Sequence, residues 1–348
     1  MTPEPDLQRD IREVLLRDLD KQARAFQKLK GGRNSQVFRV GCEDGSVFAA
    51  KAYFQSAHDQ RDRLGCEFRA LQFLQDEGFR EIAAPLAADT GRRVAIYEFV
   101  AGQPLRCKEI GDAEIDQAID FLRRLKTLAD SGKAGQFPPA SEACFSIADI
   151  LSNLDHRFRR LDAASAAHPA LRDFLRNELA PARKHLEQRC RDLCRDSGIP
   201  MNVEILMAER TLSPSDFGFH NALCSPGGRL VFLDFEYFGW DDPAKTIADF
   251  RLHPGMQLAP ALQQRFFSGM IAAFPGVPQL QHRLRAVQPL FGLKWCAILL
   301  NEFTLEHQPR RCFAEAATGT WDATAQLEKA RSMLAQATHD DRNLSWHA

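Results

Sequence analysis

The chain has 348 residues, 45% of them hydrophobic and 26% charged, and its 45 basic and 46 acidic residues leave a formal net charge of −1. This length exceeds one typical core, so we expect a folded globular protein with two lobes or domains. The balanced charge argues against a dedicated nucleic-acid binder, which would need a basic face.

The sequence shows neither an export signal nor a membrane segment. Residues 1–30 are charged and amphipathic, which argues against a signal peptide, and the apolar run Trp295–Leu300 is far too short to span a bilayer. The nine cysteines are scattered without a CxxC pair, so we predict a reducing compartment with no disulfide and no zinc site. We expect a cytoplasmic monomer or homodimer with no nucleic-acid partner and no membrane partner.

Apolar residues at helical spacing predict an N-terminal helix over 6–29. Short strands and a single helix follow, and an Asp44-Gly45 hairpin turn joins the first two strands. The predicted elements are strands over 38–40 and 47–53, a helix over 58–76, and strands over 83–88 and 93–100. Strands clustered around one helix indicate a small antiparallel sheet and not alternating βαβ units.

The segment Ala101–Pro104 punctuates the chain and marks the predicted lobe boundary. Beyond it, helical patterns cover 113–129, 147–161, 170–194, 259–273, 280–302 and 323–337, with a strand-like interruption over 213–238. We therefore predict an α+β protein with a small antiparallel-sheet N-lobe over 1–100 and a mainly helical C-lobe over 101–348.

Two features of the predicted N-lobe suit phosphate binding. Gly31 and Gly32 precede the first strand, and glycines permit a tight turn whose amides approach phosphate oxygens; a plain hairpin turn is the alternative. Lys51 stands in an otherwise apolar strand, and Glu67 lies at the edge of the apolar face of the next helix. An ion pair between them would offset the desolvation of the lysine and aim its ammonium at phosphates. The alternative is a snorkelling lysine and a solvated glutamate.

Acidic and amide side chains gather in the stretch 213–238. Asp216 is followed five residues later by Asn221, and Asp234 ends the apolar strand around Val231. Phosphoryl transfer needs a carboxylate that accepts the proton of the attacking hydroxyl, and oxygen ligands that hold magnesium on the triphosphate. Asp216 suits the first role, and Asn221 and Asp234 suit the second. Taken singly, each is also a good helix cap or turn residue.

Together these segments resemble the aminoglycoside phosphotransferase and choline kinase family, which has a two-lobed, protein-kinase-like fold. Its members place a strand lysine, a helix glutamate, an Asp-x4-Asn catalytic loop and a metal-binding aspartate in this order. Leu233–Tyr237, followed by Asp242-Pro243, is similar to the family signature after the metal aspartate, and Tyr97–Gly102 is similar to its inter-lobe hinge. The resemblance covers about 29–249.

The resemblance implies a role for each matching residue. Lys51, oriented by Glu67, would hold the α- and β-phosphates, Asp216 would act as the catalytic base, and Asn221 and Asp234 would coordinate Mg²⁺. The other implied nucleotide contacts are Gly31, Gly32, Asn34 and Ser35 over the phosphates, and Glu98 and Val100 in the hinge beside adenine.

The family pattern is altered around Asp216. Pro214-Ser215 stands where the family has His-Gly, and Gly218 stands where it has a histidine, while His220 precedes Asn221. None of these changes removes a phosphate, metal or proton-handling group. We therefore predict an ATP- and Mg²⁺-dependent phosphotransferase acting on a hydroxyl of a small molecule of sugar or amino-alcohol type. The alternative is a catalytically inactive, kinase-like nucleotide-binding protein with a regulatory or interaction role.

The stretch after Asp234 favours a small acceptor over a protein. Asp242-Pro243 follows within eight residues, which leaves no room for a long activation segment. Further along the chain, Asn301 and Glu302 are candidate acceptor contacts, whereas Trp295 is predicted to pack in the core.

Overall fold

The structure, a computed structural model, describes residues 4–29, 34–54, 61–304 and 322–343. These residues form two compact units. The first contains the residues up to Leu105 together with Asn221–Phe238, and the second contains Arg106–His220 and the residues from Gly239 onwards. Asn221–Phe238, which lies within the stretch predicted as C-lobe, groups with the N-terminal residues.

Ten helices and ten strands are used below, numbered in chain order. The helices are α1 (Glu4–Leu19), α2 (Arg63–Asp76), α3 (Asp112–Asp130), α4 (Ile147–Ser165), α5 (Pro169–Phe174), α6 (Ala180–Asp196), α7 (Pro243–Leu252), α8 (Pro260–Ala273), α9 (Leu280–Leu300) and α10 (Ala323–Asn343). The strands are β1 (Ala23–Leu29), β2 (Ser35–Cys42), β3 (Val47–Tyr53), β4 (Pro85–Asp89), β5 (Val94–Glu98), β6 (Gln103–Pro104), β7 (Thr211–Ser213), β8 (Ala222–Cys224), β9 (Leu230–Phe232) and β10 (Gly239–Asp241).

The first unit is built on a five-stranded antiparallel sheet in the order β1-β2-β3-β5-β4. Side chains alternate across a strand, so β2 places Phe38 and Val40 on one face, and both are completely buried. They pack with the buried face of α1, which includes Ile11 and Val14. The predicted small antiparallel sheet is present.

The predicted helix over 6–29 is wrong beyond Leu19. Asp20 has a φ of 54°, which ends α1, and β1 then pairs antiparallel with β2. In this edge strand the half-buried residues, Ala23, Phe26 and Leu29, fall at every third position. Phe26 meets the ring of Phe38 edge-on, at 6.5 Å between ring centroids. Pairing with β2 therefore overrides a spacing that, read along the chain, is helical.

A second, three-stranded sheet of the first unit has the order β6-β8-β9. In its β8–β9 hairpin Ala222 pairs with Phe232, and the Leu233 amide donates to the Asn221 carbonyl at 2.8 Å. Asn221 and the residue after Leu233, which is Asp234, therefore leave the hairpin at the same end.

Helices dominate the second unit, as predicted. Its central helix, α9, buries most of its side chains and packs against α4, α6, α7 and α10. The short strands β7 and β10 pair antiparallel and lead to the loop that carries Asp216. Within the described ranges, no helix combines the length and the apolar character needed to cross a bilayer.

A glycine-to-alanine pair tests the packing of β10. A Cβ on Gly239 would lie 2.3 Å from the Pro138 carbonyl oxygen and 2.6 Å from the Ala140 amide nitrogen, both backbone atoms that cannot rotate away. We expect Gly239→Ala to lower the free energy of unfolding by about 1–3 kcal/mol. Gly135→Ala, where the added Cβ meets nothing within 4 Å, is the control in urea denaturation. Equal midpoints for the two variants would contradict this packing.

Candidate active site

Lys51 occupies a buried position in the middle of β3. Its ammonium donates to Glu67 Oε2 at 2.7 Å and to Asp234 Oδ1 at 2.7 Å, and its side chain is 11% exposed. The predicted ion pair between strand and helix is thus present, and the alternative of a snorkelling lysine is wrong. Burial alone would lower the pKa of Lys51, but the charges of Asp234 and Glu67 raise it well above its usual value. The lysine is therefore a fixed positive charge.

Glu67 is held by more than this lysine. Its Oε2 also accepts from the Tyr53 hydroxyl at 2.7 Å, and its Oε1 accepts from the Phe235 amide at 3.3 Å. The Tyr53 hydroxyl lies 2.6 Å from that of Tyr97. A buried carboxylate is costly unless donors surround it, and these contacts supply them. Glu67 therefore fixes the position of the Lys51 ammonium.

Asp234 lies two residues beyond β9 and has a φ of 67°, a left-handed conformation that aspartate tolerates better than most residues. Its side chain is 27% exposed, much more than that of Glu67. The β8–β9 hairpin brings Asn221 to the same end. A carboxylate and an amide oxygen are ligand types that suit Mg²⁺.

Glu236 is a third acid near Lys51, and its importance is not evident from the sequence alone. One oxygen from each of Glu67, Asp234 and Glu236 lies within 4.8 Å of the other two. Burial, and then the negative charge of Asp234, raise the pKa of Glu236 to about 7. Arg63 Nε lies 3.5 Å from Glu236 Oε1. The sequence feature that could have pointed to Glu236 is its position two residues after Asp234.

The other predicted nucleotide contacts have varied positions. The amide of Asn34 donates to Glu236 Oε1 and to the Tyr237 hydroxyl, both at 2.7 Å, so it braces the segment after Asp234. Ser35 begins β2 and is buried. Glu98 and Val100 lie in the predicted hinge. The Glu98 backbone amide donates to the Ala84 carbonyl, and the Val100 carbonyl accepts from the Gly102 backbone amide. Gly31 and Gly32 lie outside the described residues.

Asp216 belongs to the second unit, in the turn after β7. The turn is tight: Ser215 has a φ of 68°, and the Asp216 amide donates to the Pro214 carbonyl at 2.9 Å. The Ser215 amide donates to the Ser213 hydroxyl at 3.0 Å. These contacts set the backbone, and the Asp216 side chain remains 34% exposed.

Two histidines, neither of them a predicted site residue, flank Asp216. His220 Nε2 lies 3.1 Å from Asp216 Oδ1, and His253 Nε2 lies 3.7 Å from the same oxygen. The two rings stack, with centroids 3.6 Å apart and planes 11° from parallel. Burial, and secondarily the neighbouring His220, lower the pKa of His253 to about 4. His253 is therefore neutral at physiological pH.

A buried ion-pair network supports His253. Both oxygens of Asp249 accept from the Lys294 ammonium, at 2.7 and 2.8 Å, and Asp249 Oδ1 accepts from the Trp295 indole N–H at 2.9 Å. The Trp295 ring meets His253 edge-on at 4.6 Å. Trp295 was predicted only to pack in the core, but it also contacts Asp249 and His253. Lys245, Asp249 and His253 follow one another at intervals of four, a helical spacing that could have indicated a shared face.

The chain matches the family described as the phosphotransferase enzyme family over residues 25–277. Because the match covers most of the sequence, the chain belongs to this family, as its motifs predicted. No curated protein shows significant similarity to it.

Solved structures with the same fold include several kinases. Spectinomycin phosphotransferase in complex with ADP and spectinomycin is 14% identical with a TM-score of 0.59, and the match covers 93% of this chain and 98% of that one. Choline kinase LicA from Streptococcus pneumoniae is 16% identical with a TM-score of 0.58, covering 95% and 99%. An amicoumacin kinase in complex with AMP-PNP and Ca²⁺ is 11% identical with a TM-score of 0.56, covering 98% and 93%. The predicted α+β, protein-kinase-like fold is confirmed.

Removal of Glu67 tests the buried ion pair. We expect Glu67→Ala to lower the free energy of unfolding by about 3 kcal/mol, because the Lys51 ammonium and the Tyr53 hydroxyl lose an acceptor while buried. The double variant Lys51→Met, Glu67→Ala should lose less free energy of unfolding than the sum of the losses in Lys51→Met and in Glu67→Ala. Asp120→Ala, which breaks an exposed pair with Arg123, is the control and should show no measurable change in urea denaturation. Additive effects at positions 51 and 67 would contradict the coupling.

The lowered pKa of His253 predicts a pH-dependent contribution to stability. Because the folded value is about 4 against 6.5 for an unperturbed histidine, the unfolded chain binds the proton more readily. The neutral His253 makes its full contribution to the free energy of unfolding above about pH 6.5. As the pH falls to about 4, the free energy of unfolding decreases by about 3 kcal/mol at most. Denaturation of the wild type and of His253→Asn between pH 7.5 and 4 should show the difference between them shrinking over this window. A constant difference would contradict the prediction.

Proposed function

We propose that this chain is an ATP- and Mg²⁺-dependent kinase that phosphorylates a hydroxyl group of a small molecule. The observation that carries the proposal is the Lys51 ammonium, bonded at 2.7 Å to a buried glutamate on one side and to the more exposed Asp234 on the other. A structural ion pair alone would not need a second carboxylate that faces solvent.

The first unit supplies the groups that this chemistry needs for nucleotide phosphates. Lys51, fixed by Glu67, offers a permanent positive charge to phosphate oxygens. Asp234 and Asn221, at one end of the β8–β9 hairpin, offer the carboxylate and amide oxygens that would hold the magnesium ion. When bound, that ion neutralises negative charge on the phosphates.

The second unit supplies Asp216 as the general base. Its carboxylate accepts the proton of the acceptor hydroxyl while the hydroxyl oxygen forms its bond to the γ-phosphorus and the bond to ADP breaks. A partly exposed carboxylate in a rigid turn suits this role.

The acceptor is of sugar or amino-alcohol type. To bind a polycationic acceptor, the site would need several carboxylates that are not already neutralised by cations of the protein. Near His253, the acids of α7 and β10 already have cations: Asp249 is bound by Lys294, and Asp241 accepts from Lys245 at 2.6 Å. Among the described residues of this network, the buried acids are thus neutralised, which supports an acceptor with at most one positive charge. Spectinomycin phosphotransferase and choline kinase, named above, have the same fold, which is compatible with acceptors of either type.

Substitution of Asp216 tests the catalytic assignment. With ATP, magnesium and a panel of sugars and amino alcohols, mass spectrometry should detect a phosphorylated acceptor, and Asp216→Asn should lower turnover by about 10²–10⁴-fold. Thermal stabilisation by ATP should persist in this variant, because Asp216 handles a proton and does not hold the nucleotide. Asp120→Asn, an exposed change on α3, should keep wild-type turnover. Wild-type turnover in Asp216→Asn would show that another group is the base.

Substitution of Asp234 tests the metal assignment separately. In the wild type, magnesium should increase the thermal stabilisation given by ATP, and Asp234→Asn should abolish that increase, because it removes a charged oxygen ligand. ATP stabilisation that never depends on magnesium, with no product from any acceptor, would favour the nucleotide-binding scaffold without catalysis.

A further inference from the structure

Asp216, His220 and His253 have the composition of a metal site, since one atom from each lies within 4.8 Å of the others. The hydrogen bond at the far side of His253 argues against this reading. His253 Nδ1 accepts from the Gly255 amide at 3.1 Å, so the ring proton of the neutral form is on Nε2. A histidine that binds a metal through Nε2 carries its proton on Nδ1 and donates it to an acceptor. Nε2 of His253 is therefore a donor that faces Asp216.

His220 has the same tautomer for a different reason. Its Nδ1 is buried and has no hydrogen-bond partner among the described residues, and it packs beside Gly218, where an added Cβ would lie 2.8 Å away. A proton on Nδ1 would be an unsatisfied buried donor, which is costly, whereas a proton on Nε2 can be donated to Asp216 Oδ1 at 3.1 Å. The ring therefore donates to the carboxylate.

The orientation of the His220 ring is fixed by what it packs against. It stacks on His253, which meets the edge of Trp295, and the indole N–H of Trp295 donates to Asp249. Asp249 in turn accepts two bonds from the buried ammonium of Lys294. A rigid ion pair thus anchors a chain of contacts that ends at Asp216.

We propose that His220 is a positioning residue for Asp216: its Nε2–H holds Oδ1, and Oδ2 is directed to the acceptor hydroxyl. His253 presents a second N–H to the same oxygen from 3.7 Å, beyond hydrogen-bond distance, and holds the His220 ring in its plane. The inference rests on the proposed function for the role of Asp216 as base.

The hydrogen bond can be tested by NMR without any acceptor. Long-range ¹H–¹⁵N correlations at pH 7.5 should show the Nε2–H tautomer for both His220 and His253. Asp216→Ala should shift the His220 Nε2–H signal and speed its exchange with water, while His253 keeps its tautomer through Gly255. An Nδ1–H tautomer of His220, or a His220 signal that is the same in Asp216→Ala, would overturn the proposal.

The consequence for catalysis is tested with the acceptor found in the screen. His220→Leu should lower kcat about 10–100-fold with KM for ATP within about twofold, because the base is misplaced and nucleotide contacts are not. His220→Gln, whose amide can reach Asp216, should recover most of the loss, with thermal unfolding confirming that both variants fold. Wild-type kcat in His220→Leu, or equal loss in both variants, would overturn the proposal. A wild type that phosphorylates nothing would instead contradict the proposed function, and the NMR tautomers would still decide the hydrogen bond.

Discussion

The arrangement of the first unit depends on neutralising one buried ammonium. Lys51 lies in the middle of a sheet, where its charge is tolerated only if acids from elsewhere reach it. Glu67 reaches it from α2, and Asp234 reaches it from beyond the β8–β9 hairpin. This requirement explains why Asn221–Phe238, distant along the chain, belongs to the N-terminal unit. Of the two carboxylates that neutralise Lys51, Glu67 is buried and Asp234 is partly exposed.

The second unit buries charge in a different way. Lys245, Lys294 and Arg283 pair with Asp241, Asp249 and Asp242, all of them buried. The three cations balance the three acids, and the pairs link α7 to α9 and to β10. Buried ion pairs contribute little net stability in general, but they are specific about geometry, and geometry is what a positioned carboxylate requires.

One of the altered residues near Asp216, Gly218, has a physical explanation. The family pattern has a histidine two residues after the aspartate, where this chain has Gly218. A side chain at 218 would meet the His220 ring and the Met256 sulfur, each at 2.8 Å from its Cβ. The glycine therefore makes room for an imidazole that enters from two residues later. That imidazole lies beside the Asp216 carboxylate in this chain.

The sequence by itself determined the features that depend on local pattern and on spacing. It predicted the α+β class, most helices of the second unit but not α7, and the pair of Lys51 with Glu67. Tertiary structure decided what depends on partners far along the chain. Strand β1 has helical spacing but pairs with β2 as an edge strand. His253 reaches Asp216 from the C-terminal end of α7, a helix that packs against α9. Local periodicity reports which face of an element is buried, whereas long-range pairing decides what that face meets.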